Sequence, residues 1–273
     1  MMDPSATEGV VTLADANYFP GLSVLFQSIR ESHPVEVACF DIGLTDEQRE
    51  WAERTDGITI LPIPETEDVL DVRRKEPGRK LLKRGKREWP LWICPYLIAA
   101  SPFRRTFWID CDAVVLRDLD QLFGMLDEGP VFTAENLAPE KTPNRPELYD
   151  LLPVERDFDP ERPVLNAGVS GWDLERDTPT LEAYGHAVRE AFRDPRIKRA
   201  ISWWDQGALI WAVQSTGMEH RVPDSTRWNR CVLHTEAADK RYDWGDRVLP
   251  ELRRDAPDTA ILHWNGYQVP WSR

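Results

Sequence analysis

Two aspartates one residue apart end an apolar run in FWIDCDAVVL, residues 107–116. In an extended chain, residues i and i+2 point to the same side, so Asp110 and Asp112 converge on one point. Two such carboxylates repel each other unless a cation lies between them. Because Mg²⁺ and Mn²⁺ take oxygen ligands and also accept phosphate oxygens, the spacing predicts a divalent metal site. D-x-D alone is a common sequence, and a turn cap at Asp112 beside a solvated Asp110 is the alternative.

His263, in HWNG, is the candidate third ligand. A single histidine is more often a core or surface residue than a ligand, so this assignment depends on the two aspartates. Imidazole beside carboxylates favours Mn²⁺ over Mg²⁺. We therefore predict one metal site made of Asp110, Asp112 and His263, with Mn²⁺ as the cofactor and Mg²⁺ as the alternative.

Two further stretches combine polar residues with glycines or with a helix start. LNAGVSGWD places Asn166, Gly168 and Gly171 within a strand pattern. Glycine weakens a strand unless another group must approach closely, so the two glycines indicate such an approach. SWWDQGALIWAVQS reads as a helix, with Asp205 and Gln206 near its N-terminal end. An N-cap would explain the aspartate alone.

The elements that must position these side chains alternate between strand and helix. GVVTLA, VEVACFDIG and GITILPI read as strands, and the segments between them read as helices. This alternation predicts an α/β fold with a mostly parallel sheet flanked by helices. RTFWID is a later strand, and ligands of such sheets bind at the carboxyl ends of strands. Asp15 and Asn17 follow the first strand and are candidates for the same edge, unless they only form a turn.

Length, composition and charge exclude several classes of protein. The chain has 273 residues, of which 41% are hydrophobic, enough for one large α/β domain. A formal net charge of −13 argues against general nucleic-acid binding. No apolar stretch has membrane-spanning length, and no basic segment precedes an apolar one at the N-terminus. The four cysteines lack metal-type spacing. We therefore expect a cytoplasmic protein with reduced thiols.

Three segments are predicted as loops, and a few tryptophans as sugar contacts. Residues 73–88 are the only strongly basic run, either a solvated loop or a flap that meets an anionic ligand. Residues 138–163 and 223–258 are the expected variable loops, where contacts with a bound molecule concentrate. An indole face can stack on a sugar ring, and core packing is the alternative. The candidate stacking residues are Trp203, Trp204 and Trp228.

Five stretches, taken in order, resemble glycosyltransferases of the GT-A fold. They are most similar to the family 8 retaining enzymes, the glycogenin and bacterial galactosyltransferase group. The stretches are LADANYFPGLSVLFQSI, RTFWIDCDAVVLRDLDQLF, VLNAGVSGWDL, WWDQGALIWAV and HWNGYQVPW. The resemblance implies a single GT-A domain over residues 1–273. A nucleotide-sugar-binding half would cover about 1–135, and a sugar and acceptor half about 136–273.

The resemblance also implies which residues hold the donor. Asp110, Asp112 and His263 would bind Mn²⁺, which would hold the diphosphate of a nucleotide sugar. The uracil and ribose end would be held by the four residues Ala14, Asp15, Asn17 and Tyr18.

Further implied roles concern the sugar end of the donor. Asn166 and Gly168 would line the sugar pocket, and Gly266 would belong to the donor-binding set. Asp205 would hydrogen-bond hydroxyl groups of the donor sugar. Gln206 would lie beneath the anomeric carbon on the acceptor side.

The implied function is a metal-dependent retaining glycosyltransferase. It would move a hexose from a nucleotide-diphosphate sugar, by family a UDP-sugar, to an unknown carbohydrate, lipid-linked, protein or small-molecule acceptor. A sugar nucleotidyltransferase is one alternative, but that chemistry usually has a glycine-rich basic loop directly after the first strand, and LADANYFPG is not one. A catalytically weak or inactive nucleotide-sugar- or glycan-binding protein is another.

Two departures from the family pattern weaken the expected binding of the diphosphate. The missing lysine favours the inactive alternative, and the complete metal trio with Asp205 and Gln206 argues against it. Val269 stands where the family often has a lysine that reaches the diphosphate. The helix around Cys94 and Pro95 lacks the basic residue that the family tends to have there. Each charge-assisted hydrogen bond of this kind contributes about 1.5–3 kcal/mol. The candidate replacements from the basic run are Lys83, Arg84, Lys86 and Arg87.

Overall fold

The computed structural model describes residues 7–75, 89–135, 144–154, 163–232, 235 and 248–264. The strands are β1 (Glu8–Ala14), β2 (Glu36–Asp41), β3 (Ile58–Leu61), β4 (Arg105–Ile109), β5 (Ala113–Val115), β6 (Val131–Ala134), β7 (Leu165–Asp173), β8 (Arg230–Cys231) and β9 (Ile261–His263). The helices are α1 (Phe19–Ser32), α2 (Asp46–Glu53), α3 (Glu67–Lys75), α4 (Cys94–Ala99), α5 (Asp120–Met125), α6 (Glu147–Leu151), α7 (Thr178–Arg193), α8 (Pro195–Ala200), α9 (Asp205–Thr216), α10 (Ser225–Trp228) and α11 (Val248–Asp255).

A six-stranded sheet in the order β3-β2-β1-β4-β7-β6 forms the centre of the fold. Strands β1 to β4 are parallel to one another, and β7 runs antiparallel to β4. This topology confirms the predicted α/β fold with a mostly parallel sheet flanked by helices. The beginning of β7 therefore lies beside the carboxyl end of β4, where Ile109 pairs with Val169.

A second sheet of three strands, in the order β5-β9-β8, joins the distant C-terminal segment to the D-x-D segment. Strand β5 pairs with β9 so that Ala113 lies opposite His263. The backbone N–H of Trp264 donates to the carbonyl oxygen of Asp112 at 2.9 Å. The residue that follows D-x-D is thus paired directly with the histidine, although about 150 residues separate them.

Successive residues of a strand point to opposite faces of the sheet, so apolar residues appear on both faces. Helices cover both of these faces. On one face, Val11 belongs to a buried cluster that contains apolar residues of α4, α7 and α9. On the other face, Val10 packs with apolar residues of α1 and α5. Helix α9 is thereby fixed against the sheet, and its N-terminal end brings Asp205 and Gln206 to the sheet edge.

Three sequence predictions about helices and loops are corrected by the structure. Residues 73–75 form the last turn of α3 instead of beginning a loop, because Lys75 pairs with Asp71 at 2.7 Å and donates to the Phe192 carbonyl at 2.8 Å. Helix α9 begins at Asp205, so Trp203 and Trp204 precede it. The predicted loops 138–163 and 223–258 contain α6 and α10 to α11, respectively.

Several predicted residues lie outside the described part of the chain. They are Gly266, Val269 and the four basic residues Lys83, Arg84, Lys86 and Arg87. Among the described helices, none combines the length and the apolar character that a membrane-spanning segment needs.

Candidate active site

The D-x-D segment forms a turn between β4 and β5. The Asp110 N–H donates to the Gly168 carbonyl at 2.8 Å, and the Ala113 N–H donates to the Asp110 carbonyl at 2.9 Å. The indole N–H of Trp108 donates to Asp110 Oδ1 at 2.8 Å. These bonds fix Asp110 and leave its second oxygen, Oδ2, facing His263 at 3.6 Å from Nε2.

Asp110, Asp112 and His263 converge, as the sequence analysis predicts. The His263 Nε2 atom lies 3.1 Å from Asp112 Oδ1, and one ligand atom from each of the three residues falls within 4.8 Å of the others. Asp112 and His263 are buried, at 7% and 2% exposed. Two carboxylates and one imidazole suit Mn²⁺ or Mg²⁺, and the donor set therefore fits a divalent ion.

Asn229 sets the tautomer of His263. Its amide group donates to Thr133 Oγ1 at 2.8 Å and to Asn166 Oδ1 at 2.9 Å. The Asn229 Oδ1 atom therefore faces His263 Nδ1, at 2.9 Å, and must accept a hydrogen bond from it. With its proton on Nδ1, His263 turns the lone pair of Nε2 towards the two aspartates. This is the orientation that a metal ligand requires.

Burial and charge act against each other in this cluster. Burial raises the pKa of Asp110, and the neighbouring Asp112 carboxylate adds to the effect, which His263 opposes. Burial lowers the pKa of His263, but the carboxylates of Asp112 and Asp110 raise it by more, so it lies above its ordinary value. The neighbouring carboxylates contribute to both shifts in the pKa, and a divalent cation would offset that negative charge.

Gly168 allows the three residues to meet. A Cβ atom at this position would lie 2.4 Å from His263 Cε1 and 2.8 Å from Asp110 Oδ2. The close approach that the sequence predicts is therefore made by the side chains of His263 and Asp110, which belong to the candidate metal site. Only glycine leaves them in place.

We predict that Gly168→Ala lowers Mn²⁺ affinity by at least about tenfold, because the new methyl group displaces His263 or Asp110. The overpacked core also loses about 1–3 kcal/mol of stability. Isothermal titration with Mn²⁺ and urea unfolding measure the two effects. Gly124→Ala is the matched control, because a Cβ there meets no atom within 4 Å. Equal Mn²⁺ affinity in both variants would contradict the metal assignment.

A hydrogen-bonded network extends from the Asp110–Asp112–His263 cluster to Gln206. Asn166 Oδ1 accepts from the Gly168 N–H at 2.8 Å, which fixes Asn166 Nδ2 as the donor end. That amide donates to Glu135 Oε1 and, at 3.3 Å, to Gln206 Oε1. Gln206 is buried, and its Nε2 has no partner among the described residues. Among the described residues these N–H groups have no acceptor, so an oxygen of a bound molecule that reached this buried amide would satisfy them.

Asp205 precedes Gln206 and has an unusual environment. The hydroxyl of Tyr184 donates to Asp205 Oδ2 at 3.3 Å. Burial raises the pKa of Asp205 to about 8, with a further contribution from the Asp110 carboxylate. A carboxyl group that is neutral near pH 7 can donate as well as accept a hydrogen bond.

The residues after β1 form a turn at the same edge of the sheet. Asp15 Oδ1 accepts from the N–H groups of Asn17 at 2.9 Å and Tyr18 at 3.0 Å. Ala14 is fully buried, and its carbonyl accepts from Ile42. Burial raises the pKa of the Cys111 thiol, and the carboxylates of Asp112, Asp110 and Asp15 all add to it. Because β1 lies beside β4 and runs parallel to it, Asp15 is at the same edge of the sheet as the D-x-D turn. A structural turn explains its own hydrogen bonds.

The structure adds two residues that the sequence analysis misses, Glu135 and Asn229. Glu135 follows β6, so its position after a strand is a signal that could have been used. Asn229 lies between α10 and β8 and contacts residues 34 to 96 positions away, so no local pattern indicates it.

Solved structures provide the comparison for this arrangement. One neighbour is the galactosyltransferase LgtC in complex with donor and acceptor sugar analogues, with a TM-score of 0.61, 16% identity, and coverage of 96% of this chain and 89% of LgtC. Mouse xyloside xylosyltransferase 1 has a TM-score of 0.55, 14% identity, and coverage of 95% of this chain and 98% of that enzyme. The chain has the GT-A fold. The bifunctional glycosyltransferase WbbM has a TM-score of 0.57 and 12% identity. The match covers 98% of this chain and 47% of WbbM.

The GT-A fold predicted from the ordered motifs is thus confirmed. At these identities the likeness shows the fold, and the assignment to family 8 stays a prediction. Neither the comparison with protein-family models nor that with curated proteins finds a match.

Proposed function

We propose that this GT-A protein is a metal-dependent retaining glycosyltransferase. It moves a hexose from a nucleotide-diphosphate sugar, specifically a UDP-sugar, to an acceptor. One observation carries the proposal: the Gln206 amide, with its unpaired N–H groups, is joined through Asn166 and Asn229 to His263 of the metal-binding group. A metal site and an unsatisfied buried donor are thus built into one network at the edge where α/β sheets bind ligands.

Asp110, Asp112 and His263 would hold Mn²⁺ or Mg²⁺, which when bound offsets charge on the departing diphosphate. Asp15, with Asn17 and Tyr18, would hold the nucleoside end of the donor. These are expectations from the family resemblance. They draw support from the sheet order, in which β1, followed by the Asp15 turn, lies directly beside β4, followed by the D-x-D turn.

The sugar would lie against Asn166 and Gly168, with Asp205 hydrogen-bonded to its hydroxyl groups. In a retaining transfer at one face, the bond from the anomeric carbon to the phosphate oxygen breaks. The acceptor oxygen forms its bond to the same face of that carbon, and its proton passes to the departing phosphate oxygen. Gln206 is a poor nucleophile, and its unpaired N–H groups suit it to hold a substrate oxygen in this geometry.

Proton NMR of the first product formed tests the stereochemistry. The donor is an α-linked UDP-hexose with Mn²⁺, and the slow hydrolysis of the donor by water is followed before mutarotation. The proposal predicts release of α-hexose with UDP. Release of β-hexose would contradict retention, and a stable glycosyl adduct on Asp205, detected by mass spectrometry, would contradict transfer at one face. Metal-dependent binding without any UDP release would identify a nucleotide-sugar-binding protein instead.

We predict that Gln206→Ala lowers turnover by about 10²-fold, the typical effect of removing one positioned hydrogen-bond donor. Donor affinity should stay within about threefold, because the metal-binding group is retained. Gln206→Glu should not restore turnover, since an ionised carboxylate cannot donate. Steady-state kinetics and donor titration separate these quantities. A large loss of donor affinity with normal turnover in Gln206→Ala would refute this role.

A further inference from the structure

An open groove of about 400 Å³ adjoins the candidate active site. Its lining residues are Trp92, Lys198, Arg199, Ile201, Trp203 and Trp204. Trp204 directly precedes Asp205, and the Gln206 N–H donates to the Trp203 carbonyl at 3.2 Å. The groove and the proposed catalytic residues are therefore built from one continuous stretch of chain.

The groove exposes an indole at an energetic cost. Trp203 is 42% exposed, and both Trp203 and Trp204 have positive φ values, of 55° and 54°. A bulky side chain rarely adopts this region, so each such residue is strained. Strain of this kind persists only where the surrounding structure enforces it, and it clusters at functional sites.

Asn144 enforces the conformation of this stretch. Its Oδ1 accepts from the Ser202 N–H at 3.4 Å, and its Nδ2 donates to the Gly207 carbonyl at 2.8 Å. A Cβ at Gly207 would lie 2.4 Å from Asn144 Oδ1, so glycine is required for this packing. The segment before α9 is thus held from both ends, and the Trp203 side chain stays exposed to solvent.

Positive charge distinguishes this groove within an acidic protein. Lys198 Nζ lies 4.2 Å from the Phe192 ring centroid and 5.5 Å from that of Trp92, and Arg199 is exposed. None of the six lining residues is acidic, although the chain carries a net charge of −13. The lining therefore combines an exposed aromatic face with two cations.

We propose that this groove is an acceptor subsite that selects a sugar carrying a phosphate or carboxylate group. The apolar face of the sugar ring stacks on Trp203, and its anionic group pairs with Lys198 and Arg199. The identification as an acceptor subsite rests on the proposed function, whereas binding of an anionic sugar does not depend on it. As an acceptor subsite, the groove would bring the receiving hydroxyl near Gln206, whose N–H donates to the Trp203 carbonyl.

Saturation-transfer NMR on the whole protein tests the binding, with EDTA present so that phosphate cannot bind through a metal. The probes are glucose 1-phosphate, glucuronate, methyl glucoside and inorganic phosphate. We expect the two anionic sugars to bind at least about tenfold more tightly than methyl glucoside, with the strongest transfer to ring C–H protons. Trp203→Ala and the double variant Lys198→Gln/Arg199→Gln should each weaken this binding by about tenfold or more.

Arg196→Gln is the matched control, because Arg196 lies on the same helix, α8, and pairs with Asp194 at 2.6 Å. It should bind the anionic sugars as the wild type does. Equal binding of charged and neutral sugars, or equal loss in Arg196→Gln and the groove variants, would overturn the proposal.

A second readout separates this proposal from the proposed function. With Mn²⁺ and a UDP-sugar that the protein hydrolyses, anionic sugars should increase UDP release more than methyl glucoside does. Anionic sugars that bind in the groove without increasing UDP release would overturn the acceptor role and leave the proposed function intact. Failure of every donor to bind with Mn²⁺ would instead contradict the proposed function and, with it, the acceptor role.

Discussion

Asp112→Asn should abolish Mn²⁺-dependent binding of the donor and reduce hexose transfer by about 10³-fold or more. The substitution keeps the volume of the side chain and removes one ligand charge from a buried site whose three ligand atoms fall within 4.8 Å. A bound divalent ion contributes several kcal/mol of charge stabilisation, and each 1.36 kcal/mol is a factor of ten in rate. Isothermal titration and UDP-release kinetics measure the two effects.

Asp118→Asn is the matched control for this change. Asp118 belongs to another group of histidine and carboxylates, with His33 Nδ1 at 3.3 Å, but its side chain is 56% exposed. We expect no change in donor binding or transfer there. The folding of Asp112→Asn should stay intact, since the variant relieves repulsion between Asp110 and Asp112. Normal Mn²⁺-dependent donor binding in a folded Asp112→Asn protein would refute the metal site.

Asp205→Asn should make the metal-free protein more stable while reducing transfer by about 10²-fold. The pKa of Asp205 is about 8 in the folded protein, against an ordinary value near 4. Between these pH values the Asp205 carboxyl group is ionised in the unfolded chain and protonated in the folded chain. Protonation of Asp205 therefore favours the folded state, relative to high pH. This stabilisation is fully present below about pH 4 and is lost as the pH rises to about 8.

The asparagine variant does not suffer this loss. We expect it to be more stable than the wild type by about 2–4 kcal/mol near pH 7, and equally stable near pH 4. Urea unfolding in EDTA across this range measures the difference. Asp194→Asn is a control in which the stability change should have the opposite sign. The Arg196 side chain lowers the pKa of Asp194, so loss of this charge should destabilise the folded protein near pH 7. A stability difference for Asp205→Asn that does not grow with pH would contradict the unusual environment of this carboxyl group.

Stability and transfer would then respond in opposite directions at Asp205. The ionised form of the Asp205 carboxyl group destabilises the folded protein, yet the residue lies next to Gln206. The Asp110 carboxylate contributes to its raised pKa. Such a site is where a cost in stability indicates a role in binding or chemistry.

The sequence predicts those parts of the site that follow directly from strands. Asp110 and Asp112 end an apolar run, so their position at the carboxyl end of β4 could be expected. The place of His263 followed only from its residue type and the family resemblance, because the pairing of β5 with β9 is not visible in one sequence.

Other features depend on contacts between distant segments. Trp203 and Trp204 fit a helical pattern, but Asn144, 58 residues before Ser202, holds them in a conformation that no propensity favours. The network through Asn166 depends on a register shift between Phe132 and Thr133, where β6 pairs with β7. Asn229 enters the site from α10, and nothing in the residues around it indicates this.

The central claim is that the carboxylates of Asp110 and Asp112 hold a metal that holds a nucleotide sugar. Thermal shift of the whole protein against a panel of nucleotide-diphosphate sugars, with and without Mn²⁺, tests it most directly. A ligand that binds only the folded state raises stability by RT ln(1 + [L]/Kd), so moderate affinity is measurable. We predict stabilisation by a UDP-sugar only when Mn²⁺ is present. Stabilisation by no donor, or by a donor equally well in EDTA, would contradict the claim.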